Sequence, residues 1–240
     1  MRTVIYKDKK IPEAEYRSLL ADYTKYLEDN AGLKPIFWTV EWNFTDYPTE
    51  IDTDGDDVMR PTFMKELSEM VELHYGKYGT DNIVTLIHED NWKSGRTATR
   101  KGIWGTNYSY SYGPYHFQYC RWDKKNPANT FGTLNHEQDH SYDSLIKVEL
   151  GVNINPLLGV SHYDKEVTHG GTAPYKYIKY QENKEKLKVI APYLQTAYAK
   201  RAERHVEAIN GLQTTIISLL EKVVYYLKAK KNKKVGNPTT

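Results

Sequence analysis

The chain has 240 residues, 39% of them hydrophobic, 21 of them tyrosine, and a formal net charge of +2 at pH 7. That length suits one sizeable domain with an appendage, or two small domains, and the near-neutral balance excludes a nucleic-acid footprint over the whole molecule. No apolar run is long enough to span a membrane and no signal peptide is read at the N-terminus, so the expected location is cytoplasmic, with release by cell lysis left open.

Residues 3–7 read as a short strand. Pro12 opens a helix to about Asn30, with Tyr16, Leu19, Leu20, Tyr23 and Leu27 at helical spacing and Gly32 as its stop. Residues 35–44 are β-branched and aromatic, hence a strand. The loop over 45–60 holds Asp52, Asp54, Asp56 and Asp57 around Gly55, a partial calcium-loop pattern. The closing Glu of such a loop is missing, since position 63 is Phe, so a solvated acidic turn is expected. Pro61 starts a second helix to about Tyr78, with Leu67, Met70, Val71 and Tyr75 facing inward and Gly79 as its stop.

Asn82–His88 is the clearest strand, and His88, Glu89 and Asp90 mark its expected exit to solvent. A basic loop over 93–100 leads to Gly102–Gly113, whose alternation between framing glycines suits an exposed edge strand. Tyr115–Trp122 alternates too, so the two are expected to pair as a hairpin, with His116 on the sheet surface. Cys120, the single cysteine, sits in this apolar-aromatic run and is expected to be a buried, inert thiol. It excludes an internal disulfide framework and a cysteine-based zinc site.

After a turn comes a helix to Leu150, capped by Asn129-Thr130 and stopped by Gly151. It carries His136-Glu137-Gln-Asp-His140. Two histidines four apart project from one helix face, a spacing at which both imidazoles can bind one Zn²⁺. Glu137 stands beside that face, where it can act as general base on a zinc-activated water attacking a carbonyl. Asp143, seven residues past His136 on the same face, is either an acceptor for the second N–H of a ligand histidine or an exposed acid. Glu149 points to the opposite face and is set aside.

The element order β-α-β-α-β-β-β-α, closing in an edge strand, an inner strand and the His-Glu-x-x-His helix, resembles the N-terminal half of zincin metallopeptidases over roughly residues 1–150. The resemblance implies an α+β fold, a mixed twisted sheet with packed helices, and a substrate peptide that adds to the edge strand Gly102–Gly113. The metzincin continuation is absent, because position 143 is Asp and position 146 is Ile. A third ligand must therefore come from later in the chain. His169, ahead of Gly170-Gly171, is the first choice and Asp164 the alternative, with His162 and Glu166 behind them. Tyr163, Tyr175 and Tyr177 are available to stabilise an oxyanion, with nothing to choose between them.

Residues 183–191 read as helical, and Pro192 as the first turn of a new helix to about Lys230. Val206, Ile209, Ile216, Leu220, Val223 and Leu227 make a stripe that either packs back on the domain or self-associates. The division expected is a catalytic domain over 1–180, a helical region over 181–230 and a disordered basic tail over 231–240. The function expected is a zinc metallopeptidase acting on a peptide or protein substrate. The alternative is a non-catalytic assembly protein, oligomerising through 206–227, with a vestigial metal site.

Overall fold

The computed structural model describes residues 1–43, 61–91, 105–109, 115–154 and 177–235. The expected acidic turn, the basic loop and the segment 161–171 lie outside them. The strands are β1 (Arg2–Asp8), β2 (Ile36–Trp42), β3 (Asn82–His88), β4 (Gly105–Ser109) and β5 (His116–Trp122). The helices are α1 (Glu13–Ala31), α2 (Pro61–Tyr75), the single turn α3 (Glu89–Asn91), α4 (Pro127–Leu150) and α5 (Tyr177–Val235).

The sheet order is β2-β1-β3-β5-β4. β2, β1, β3 and β5 run parallel, and β4 pairs antiparallel with β5 at the end of the sheet. The expected hairpin and edge strand are thus in place, and the fold class is α+β with a mixed sheet. Alternation along the strands separates two cores. Ile5, Val84, Leu86, Cys120 and Trp122 face α1, α4 and the first part of α5. Val4, Tyr6, Ile83, Ile87, Phe117 and Tyr119 face Leu67 and Val71 of α2. The central strand β3 is buried throughout, as a parallel strand covered on both faces must be.

Several boundaries differ from expectation. α2 stops at Tyr75, because Gly76 already adopts a left-handed turn at φ 76° and its N–H caps Glu72. α4 begins at Pro127 with Asn126 before it. Asn129 and Thr130 lie inside the first turn, where the Thr130 hydroxyl accepts the Asp123 N–H at 2.9 Å. Proline at the first helical position loses no hydrogen bond and presets φ, which explains the earlier start. Pro192 begins no new helix, since α5 runs through it. The N–H it lacks is offset by packing, with Ile190 and Leu194 fully buried two residues to either side.

α5 docks through charge as well as apolar contact. Arg201 is buried and its Nε lies 2.9 Å from Asp81 Oδ1, while Arg2 Nη2 holds the same oxygen at 3.0 Å. Arg204 Nη2 reaches Glu149 at 3.0 Å. This cluster ties the start of β1, the entry to β3, the end of α4 and α5 into one body. Burial would raise the Asp81 carboxyl, but hydrogen bonds from Arg2 and the charges of Arg2 and Arg201 outweigh it and hold the group below the usual carboxylate range.

Candidate metal centre

α4 crosses the sheet with one side fixed to β5. Gln118 of β5 donates from Nε2 to Gln138 Oε1 at 2.6 Å and to Ser141 Oγ at 3.2 Å. Leu134, Tyr142, Leu145 and Ile146 of the same helix are buried in the core. On the same unbroken helix, positions 136 and 140 stand one turn apart.

His136 is buried, and so is Glu137 beside it. Burial pushes the Glu137 carboxyl up to about 8. The thiol of Cys120 below is raised in turn, first by its own burial and then by the Glu137 charge. Cys120 is therefore the inert buried thiol expected of it. A cation placed near Glu137 would favour the carboxylate and draw its pKa back down.

The next turn is held by a buried ion triad. Lys186 of α5 reaches Asp139 Oδ2 at 2.7 Å and Asp143 Oδ1 at 3.0 Å. Burial alone would lower the Lys186 pKa, yet the two carboxylates raise it, so the lysine is held charged. Asp143 is therefore not an exposed acid but an ion-pair partner of α5. The sequence reading had no place for Lys186 or Asp139. The available signal was the acid pair at i and i+4 on α4, matched by a lysine beside the apolar stripe of Leu187, Ile190 and Leu194.

The side chain of His140 lies outside the described residues, as do His169, Asp164, His162 and Glu166. Among the described residues no group of three His, Cys, Asp or Glu side chains forms a metal cluster. The donor chemistry of α4 nonetheless suits zinc. It offers two histidine positions at ligand spacing and a buried carboxyl whose charge a cation would stabilise.

Two other polar groups depart from expectation. His116 is buried, not on the sheet surface. Burial, then the Arg201 charge, lowers its pKa to about 3 against the pull of Asp81, so it stays neutral. His88 and Glu89 are buried as well. Asp8 accepts the His88 N–H at 3.1 Å and Asn91 Nδ2 at 2.6 Å, folding the chain back into α3. Arg121 and Lys124 pair with Glu89 at 3.2 and 3.4 Å. Expected exits to solvent, these residues instead close the end of the sheet.

No family model matches the chain, and no curated protein matches it in sequence. Among solved structures it is similar to the crystal structure of archaemetzincin from Methanopyrus kandleri, at 10% identity and a TM-score of 0.41, over 86% of this chain and 96% of that one.

Proposed function

We propose that the chain is a zinc-dependent metallopeptidase in which His136 and His140 hold the metal, with His169 or Asp164 completing the set. The observation that carries the reading is the buried His136–Glu137 pair on a continuous helix with a second histidine one turn on. Bound zinc would polarise the scissile carbonyl and acidify a water. Glu137 would take the proton of the attacking water at its carboxylate and return it to the leaving amine. Gln138 and Ser141, anchored on Gln118, hold the helix so that Glu137 keeps its place. The Lys186 triad does the same from the side of α5. An extended peptide would lie along β4, the terminal strand of the sheet, by main-chain pairing.

Elemental analysis of the purified protein, before and after a mild chelator, tests the metal. About one zinc per chain is the expected stoichiometry of a single catalytic site. Glu137→Gln should retain that zinc and lose peptide hydrolysis by at least about 100-fold, the scale of a general base. A protein without zinc, even after adding it back, or a Glu137→Gln variant of wild-type activity, would sink the reading.

A further inference from the structure

The first part of α5 is spent on the domain, where Leu187, Ile190, Leu194 and Ala197 are buried. Beyond His205, whose Nδ1 lies 3.0 Å from the Lys77 carbonyl oxygen, the helix leaves it. Val206, Ile209, Ile216, Leu220, Val223 and Leu227 are between 39% and 61% exposed, so among the described residues nothing packs over this stripe.

These six residues alternate at three- and four-residue steps, the a and d positions of a heptad repeat, with Gln213 at the one polar core position. Leu212, Ile217, Leu219 and Val224 flank the seam and are equally exposed. At 100° per residue the ten occupy one continuous side, about half the circumference. The segment is about 33 Å long. A helical segment without tertiary contacts is marginal in water, so something must cover this face.

We infer that the cover is a second copy of this chain, joined through residues 206–227. The exposed apolar side offers on the order of 800 Å² per chain, which is what each partner brings to a stable protein interface. The heptad spacing supplies the knobs-into-holes geometry for a helix of the same sequence. A lipid surface fits less well. An interfacial helix for anionic membranes needs a basic polar face along its apolar stripe, whereas 206–227 carries Glu207 and Glu221 against Lys222, and the lysines at 228, 230, 231, 233 and 234 come only after the last residue of the stripe.

Sedimentation equilibrium of the full chain over a wide concentration range tests this. The expected mass is two chains or a higher multiple of 27.9 kDa. Ile216→Asp with Leu220→Asp, both on the exposed side, should return the single-chain mass while leaving thermal unfolding of the domain and its zinc content unchanged. Flotation with vesicles of phosphatidylcholine and phosphatidylserine runs in parallel. A wild-type chain that stays monomeric at every concentration overturns the inference. If that monomer floats, and the double variant does not, the face belongs to a bilayer. An oligomer whose mass the double variant leaves unchanged overturns it too. None of these outcomes depends on whether the zinc site is active.

Discussion

His136 and Glu137 are adjacent, yet the proposed chemistry asks opposite things of them. His136 is to stay bound to a metal, while Glu137 is to gain and lose a proton. His136→Ala should therefore lose zinc, where Glu137→Gln keeps it. Equal zinc retention in both variants would remove His136 from the ligand set. His116 is a histidine of another kind. Its folded pKa of about 3 lies below the ordinary 6.5, so below 6.5 the unfolded chain gains a proton that the folded chain refuses. Its contribution is complete above 6.5 and is lost as the pH falls toward 3. The loss approaches about 1.4 kcal/mol per pH unit. Denaturant titrations at pH 6.5 and 4.5 should show a smaller drop in stability for His116→Gln than for the wild type. Equal drops would mean that His116 accepts its proton in the folded state.

At the scale of elements, helix ends and helix pairs decide where the site sits. Gly32 ends α1 at φ 61°, and a Cβ there would lie 2.8 Å from Gln195 Nε2. Gln195 donates to the Ala31 carbonyl at 2.7 Å, so the same glycine serves the cap and the docking of α5. Gly151 ends α4 at φ 70° with nothing near its would-be Cβ. Gly32→Ala and Gly151→Ala should both cost the left-handed strain of about 1–2 kcal/mol. Gly32→Ala should cost more, by the loss of the Gln195 bond. Equal thermal shifts would show that Gln195 moves aside freely. Lys186→Met removes this cation from the buried Asp139 and the half-buried Asp143, a loss of about 3–5 kcal/mol. Adding Asp139→Asn and Asp143→Asn should recover much of it. If the triple variant unfolds no later than Lys186→Met, the carboxylates are not the cause.

The whole molecule is joined by a salt-bridge cluster whose members are far apart in the chain. Asp81, Arg2 and Arg201 lie at the meeting of sheet and α5. The Asp81 pKa is held down in the fold, so its contribution is complete above the ordinary carboxylate range, about 3.9, and is lost as the pH falls through the folded value. Asp81→Asn should unfold more easily at pH 7 and differ less from wild type in strong acid. A constant difference at all pH values would place the Asp81 effect in packing, not charge.

Much of the architecture is legible in the sequence. The β-branched, apolar run in residues 82–88, alternation in 115–122, helical spacing in 13–31 and the glycine stops at 32 and 151 report local backbone preference and the pattern of burial, which a linear chain displays directly. His136 and position 140 share a side of α4 for the same reason, since helical period alone puts them there. Other features depended on residues distant in sequence. That Glu137 is buried, that Asp143 meets Lys186, that His116 is enclosed and that Arg201 reaches Asp81 follow from how sheet, α4 and α5 close on one another. Burial and charge pairing are properties of the space between elements. The sequence by itself therefore determined the elements and the spacing of the metal motif. The tertiary structure alone decided which charges are sealed in, and that among the described residues nothing covers the stripe on the far half of α5.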